Sequence, residues 1–303
     1  MNIQAFGSNS GNAETDNAPA PIIVGAPRSG TTLLRLMLDA NTQLAIPPET
    51  GFLGLRMSKH SDPRRQFFDA LTNYPADAPA WGDYGISREA FWEALQKIEP
   101  FEFGAGARCF FRLYAALHGK RRWGDKTPGH IFQMPLIEQR LPEAHFVHVI
   151  RDGRDVALSW RPLWFAPSQS MSELADHWSN WVRTGRRLGS RCRHYTEVRF
   201  EELVTDPEPI LRRLSQYLEL DYQPVMQNYH TRAAARLDEH GARKSHDGKT
   251  LVSKEQRLCQ QKLTMQPPIA TRAGNWKNAM SQVESTAFLQ QAASLLNELG
   301  YEA

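Results

Sequence analysis

The sequence predicts an α/β fold: a P-loop-like three-layer arrangement with a central, mostly parallel sheet flanked by helices, plus a helical lid or subdomain. Three observations predict it. Apolar runs of strand length at 21–24, 144–150 and 195–200 alternate with helical patterns. The first run passes through a Gly/Pro/Ser turn into a segment whose Leu33, Leu34, Leu36, Met37 and Leu38 recur at helical spacing. And 303 residues, 41% of them hydrophobic, supply one large core with room for a helical subdomain.

Taken in order, residues 1–20 are Asn/Ala/Gly/Ser/Pro-rich and read as a disordered tail, leaving a single domain over 21–303. Strand, glycine loop and helix fill about 21–40. Pro47 and Pro48 exclude a helix interior, so 46–50 is a turn or strand end. Residues 50–74 and 87–118 read as helices of the lid region (51–121), with Pro75, Pro79 and Gly82 between them. Residues 122–128 read as a strand end and loop before a short helix. The strand at 144–150 runs into a helix carrying Val156, Ala157, Leu158 and Trp160, and 171–190 is an amphipathic helix bearing Trp178 and Trp181. After the strand at 195–200, Asp206 and Pro207 supply cap and first-turn proline for a helix over 207–219. Residues 225–262 are polar and basic and carry no clear pattern. Ser281 with Glu284 is a capping box that opens a C-terminal helix to Leu299.

Composition narrows the function classes. A net charge of +3 is no nucleic-acid signature and fits an anionic cosubstrate as well as anything. Cys109, Cys192 and Cys259 are far apart and outside any Cys/His cluster, so they read as reduced thiols in a cytoplasmic setting, with no metal site. The start, Met-Asn-Ile-Gln, lacks the basic and apolar regions of a signal peptide, and no apolar run approaches the ~20 residues of a transmembrane segment.

The turn at 25–32 nearly matches a nucleotide-phosphate loop. Gly25 and Gly30 keep the G-x-x-x-x-G spacing and Thr32 holds the Ser/Thr position, but Thr31 stands where an NTP-hydrolysing loop has Lys. Amides and hydroxyls still hold one phosphate, and Arg28 offers a planar fork of donors to a second anionic group. Arg151 follows the strand at 144–150, and Ser159 lies eight residues on, about two helical turns. Ligands of parallel sheets sit beyond the carboxyl ends of the strands, so both loops face one crevice.

Pro-Arg-Ser-Gly-Thr-Thr at 27–32 resembles the 5′-phosphosulfate loop of sulfotransferases that use 3′-phosphoadenosine 5′-phosphosulfate (PAPS). The run through Glu49-Thr50 is similar to the protein-tyrosine sulfotransferases, and to soluble bacterial sulfotransferases of this length. The resemblance covers roughly 21–50, 122–160 and, loosely, 196–300. It implies a 5′-phosphate on Arg28, Ser29, Gly30, Thr31 and Thr32, and a 3′-phosphate on Arg151 and Ser159.

Sulfuryl transfer to an alcohol needs a base for the hydroxyl proton, and Glu49 is the candidate, more so if burial raises its pKa. In the tyrosine enzymes the Glu of such a Glu-Thr pair serves as base; Pro48 stands here where they have another acid. Many cytosolic relatives use His instead, which makes His118, His130 and His148 the fallback positions. Lys126 of Asp-Lys-Thr-Pro resembles the family's leaving-group lysine and joins Arg28 as a catalytic cation. Phe200 replaces the usual Tyr of the Tyr-Glu-x-Leu strand. Residues 271–277 resemble the Gly-x-Trp-Lys loop that closes over the nucleotide. This makes Arg272 and Lys277 candidate 3′-phosphate contacts and Trp276 a candidate adenine wall, with Ser253 a further nucleotide contact. Aromatic residues of 81–111 are candidate acceptor-pocket lining or plain core.

The expectation is a PAPS-dependent sulfotransferase acting on a hydroxyl of a small molecule, carbohydrate, lipid or peptide, without metal. The alternatives are a P-loop-type kinase, against which the missing loop Lys argues, and a catalytically inactive nucleotide-binding module, against which Glu49 and Lys126 argue.

Overall fold

The computed structural model describes residues 18–58, 62–163 and 166–302. Residues 1–17 of the expected tail lie outside it, and Ala20 already opens the first strand.

Strand β1 (Ala20–Val24) is buried along its whole length. It feeds helix α1 (Thr31–Asp39), and a two-residue strand β2 (Leu44–Ala45) follows. Helices α2 (Pro63–Thr72), α3 (Arg88–Gln96) and α4 (Phe103–Leu117) follow, and their apolar faces share one core with β1 and β5. Strands β3 (Arg122–Trp123) and β4 (Asp125–Lys126), helix α5 (Met134–Arg140) and strand β5 (Ala144–Ile150) return the chain to the sheet. Next come α6 (Gly153–Trp160), α7 (Met171–Gly189), β6 (Tyr195–Arg199), α8 (Phe200–Thr205) and α9 (Pro207–Tyr217).

The sheet runs β4-β1-β5-β6 with every pairing parallel; Ile22 lies between Asp125 and Phe146. Helices cover both faces, which is why β1 and β5 read as continuous apolar runs. On one face Leu34, Leu38, Val149, Leu203 and Leu214 form a core; on the other Ile150, Val156 and Trp178 pack with Phe288. The carboxyl ends of all four strands share one edge, and the loops after Val24, Lys126 and Ile150 gather there.

The expected helices of the subdomain are shorter than their patterns. Residues 50–58 hold only a 3₁₀ turn at Phe52–Gly54, and α2 starts where Asp62 accepts from the Arg64 amide at 3.1 Å ahead of Pro63. The stretch 87–118 splits at 97–102 into α3 and α4, because Pro100 removes a helix donor. Trp81, Tyr84, Phe91, Phe110 and Phe111 are core around Phe52. Asp206 makes no side-chain cap bond, although Pro207 takes the first turn as expected.

The patternless stretch is ordered into short pieces: α10 (His230–Asp238), a hairpin of β7 (Arg243–Lys244) and β8 (Thr250–Val252), and α11 (Lys254–Gln261). Beyond α12 (Trp276–Ala279), the capping box of Ser281 and Glu284 opens α13 (Gln282–Glu298). No helix among the described residues is long and apolar enough to cross a membrane.

Candidate active site

The glycines of the first loop are there for space and backbone sign. Gly25 has φ +147°, and a Cβ on it would lie 2.5 Å from the Val149 carbonyl. Gly30 has φ +103°, and its Cβ would lie 2.4 Å from the Phe200 ring. Between them Arg28 sits at φ +71°, a left-handed backbone uncommon for a residue with a side chain. That backbone aims its guanidinium across the crevice: Nε donates to Ser159 Oγ at 3.1 Å, and Nη1 and Nη2 donate to the Gln260 carbonyl at 3.3 Å. The N-terminus of α1 opens onto the same loop, so its free amides add a positive end.

Arg151 leaves β5 on the same side. Its Nη1 donates to the Arg28 carbonyl at 3.3 Å and its Nη2 to the Arg272 carbonyl at 2.8 Å, while its guanidinium lies over the Phe200 ring at 4.3 Å. Phe200 thus keeps a contact with the site without the hydroxyl of the usual Tyr. Arg28, Thr31, Thr32, Arg151, Ser159 and Arg272 all border one pocket. Burial lowers the Arg28 pKa, and Arg151 and Arg272 lower it further. Arg151 Nε is buried there without a hydrogen-bond partner among the described residues. Ser29 Oγ is buried and unpartnered as well, but Ser29 borders neither pocket. Three crowded guanidinium groups and one idle donor suit a polyanion.

A second pocket adjoins the first, sharing Arg28, Thr31 and Thr32 with it, and is bordered by Glu49 and Lys126. The Lys126 ammonium contacts Glu49 Oε1 and reaches Thr32 Oγ1 at 3.3 Å. Lys126 is buried, and burial lowers its pKa while Glu49 raises it. Glu49 itself keeps 50% of its side-chain exposure, so the burial expected for the candidate base is not there. The backbone around it is tied down instead. Thr127 Oγ1 accepts from the amides of Thr50 and Gly51 at 3.1 and 3.2 Å, Thr50 Oγ1 donates to Asp125 Oδ1 at 2.7 Å, and Tyr84 donates to the Glu49 carbonyl at 3.1 Å.

Other expected residues sit elsewhere. Ser253 caps α11 in a capping box with Gln256 and borders neither pocket. Lys277 pairs with Glu302 at 3.1 Å on the surface. Trp276 stacks 3.5 Å under the Arg154 guanidinium, away from the pocket. Arg154 pairs with Asp152, whereas Asp155 accepts from the amides of Gly274 and Trp276 at 2.9 and 2.8 Å. His118, His130 and His148 border neither pocket; burial, helped by Arg236 at His118, lowers them to about 4, 3 and 4.

Gln260 and Gln261, which border both pockets, match no motif in the sequence, and neither do Tyr229 and Pro267–Ile269 on the first. One local signal does point to them. Ser253 to Gln256 carries the same S-x-x-E/Q signature as Ser281 to Glu284, and it marks the helix that delivers those glutamines.

Among the described residues no group of His, Cys, Asp or Glu has the arrangement of a metal site. Residues 19–224 match the profile of the sulfotransferase family. The omega-hydroxy-beta-dihydromenaquinone-9 sulfotransferase Stf3 of Mycobacterium tuberculosis is 27% identical over 267 residues, spanning 72% of this chain and 68% of that protein. Protein-tyrosine sulfotransferase 1 of Danio rerio is 24% identical over 216 residues, 69% of this chain and 55% of that one. The sulfotransferase domain of the Synechococcus PCC 7002 olefin synthase shares the fold, with a TM-score of 0.57, 19% identity, and 95% and 97% of the two chains covered.

Proposed function

Because this chain belongs to the sulfotransferase family, we propose that it moves the sulfuryl group of PAPS to an acceptor hydroxyl, with Glu49 as base. The observation that carries the reading is the meeting of two pockets at Arg28: a cationic one between Arg28, Arg151 and Arg272, and one holding Glu49 and Lys126. The first suits a nucleotide with phosphates on both the 3′ and 5′ oxygens of its ribose. Its idle donor, Arg151 Nε, and the free amides at the start of α1 match close approach by phosphate oxygens.

In the reaction the acceptor oxygen forms a bond to sulfur on the face opposite the leaving oxygen. Glu49 takes the hydroxyl proton. The sulfur–oxygen bond to the 5′-phosphate breaks, and its electron pair stays on the phosphate. Arg28 and Lys126 stabilise that growing charge, and adenosine 3′,5′-bisphosphate (PAP) leaves with the proton still on the protein. Nothing in this scheme calls on a metal. The acceptor is a hydroxyl of a small molecule, carbohydrate, lipid or peptide. The three cysteines are free, which suits a reducing cytoplasm.

Calorimetry with PAP and with ATP tests the donor, and transfer of radioactive sulfate from PAPS to an acceptor panel tests the reaction. PAP binding at least ~100-fold tighter than ATP is expected, about 2.7 kcal/mol. Preference for ATP overturns the reading.

A further inference from the structure

The second pocket is more cationic than the transfer of a sulfuryl group requires. Five cationic side chains border it, Arg28, Arg35, Lys126, Arg243 and Arg257, against the single carboxylate of Glu49. Arg28 and Lys126 belong to the donor. The other three come from the second turn of α1, from β7 and from α11.

Arg35 is 1% exposed. Its Nε donates to the Ile46 carbonyl at 2.9 Å, but its Nη2 has no hydrogen-bond partner among the described residues. Glu239 Oε2 lies 3.8 Å from it, beyond hydrogen-bond reach, and already accepts from the Tyr114 hydroxyl at 2.7 Å. A buried guanidinium nitrogen left idle is costly unless something arrives to meet it. Arg243 and Arg257 share one carboxylate: Asp83 takes Arg243 Nη2 at 3.0 Å and Arg257 Nη2 at 2.8 Å. Two guanidinium groups on one acid leave one positive charge over. His240, on the same wall, is pushed down to about 3 by burial and by Arg35, Arg257 and Lys126, so it stays neutral and adds no charge of its own. Trp181 and Val252 supply an apolar border.

We infer that this pocket takes hydroxylated acceptors that also carry an anionic group, a carboxylate or a phosphate, anchored by Arg35 and Arg257 while the hydroxyl meets Glu49. The inference rests on the sulfotransfer reading above and adds the acceptor's charge class to it. Arg257 already gives Nη1 and Nη2 to Asp83 at 3.1 and 2.8 Å, so it offers the anion its charge, whereas Arg35 Nη2 offers a bond that a neutral acceptor leaves unmade.

The test uses the full chain saturated with PAP. Two acid probes, 4-hydroxyphenylacetate and glycerol 3-phosphate, are titrated against their neutral twins, 4-hydroxyphenylacetamide and glycerol, by ligand-observed NMR. At least one acid is expected to bind about tenfold or more tightly than its twin, as one charge-assisted bond supplies, and which acid does so separates carboxylate from phosphate. Arg257→Gln and Arg35→Met are expected to remove the preference with PAP affinity unchanged. Should Arg35→Met fail to fold by circular dichroism, the less buried Arg257 carries the test. Equal binding of acid and twin, no acid binding at millimolar concentration, or a preference that survives Arg257→Gln overturns the inference. Failure to bind PAP at all overturns the sulfotransfer reading and this inference with it, whereas PAP binding without acid preference removes only the inference.

Discussion

Glu49 and Lys126 face each other as a contact ion pair, 77 positions apart in sequence, and only one of them is buried. The pair's division of labour makes a specific expectation. Glu49→Ala keeps PAP affinity and loses turnover by about 10²–10⁴, the range for a positioned base, as steady-state rates and PAP calorimetry on one preparation will show. Full activity in that variant removes Glu49 from the chemistry. Asp125 behind them is a second case. Burial lifts its pKa to about 7 from the ordinary 3.8, against the pull of Thr50, Thr127 and Lys126. The folded protein therefore holds this proton where the unfolded chain has released it, so the contribution to stability is full below 3.8 and fades as pH rises to about 7. Urea titrations should show wild type losing ground to Asp125→Asn across that window, at roughly 1.4 kcal/mol per pH unit at most. Resemblance marked Glu49 and Lys126 as candidates. It had no means of seeing that Glu49 is half exposed, because α11 and the hairpin, which border the same pocket, arrive from far along the chain.

Elements divide the same way. The strands, α1 and the final helix are legible because each carries its own signal: an apolar run, a 3.6 period, a capping box. The pieces between residues 225 and 276 are illegible for a physical reason. They are short and polar, no residue of theirs past Leu237 is buried, and they are held by contacts made at the pocket. Arg28 reaches the Gln260 carbonyl, Arg151 reaches the Arg272 carbonyl, Tyr229 reaches the Gln266 carbonyl at 2.6 Å, and Asp155 grips Gly274 and Trp276. Asp155 is the bolt of this strap. Asp155→Ala leaves two amides and Arg151 without their acceptor and should raise the PAPS KM by about tenfold or more, with kcat and acceptor KM little changed. An equal loss in kcat would place Asp155 in the chemistry instead.

At the scale of the whole molecule, burial of charge sets the acid limit. Five histidines, His118, His130, His145, His148 and His240, are lowered chiefly by burial, while Asp125 pulls the other way with its pKa near neutrality. The unfolded chain takes up protons on those histidines near pH 6.5 while the folded chain does not, so stability falls as pH drops from about 6.5 towards 5. A urea midpoint that rises over the same descent contradicts this. The strap has a last consequence, for the nascent polypeptide. The loop at 25–32 leaves the ribosome well before Gln260 and Arg272, which border the same pocket. A nucleotide therefore meets an open half-site until that stretch has emerged, and it acts as a lock on a closed box, not a template for building one. Added PAP should slow unfolding and protease nicking in proportion to its occupancy while leaving the refolding rate where it was.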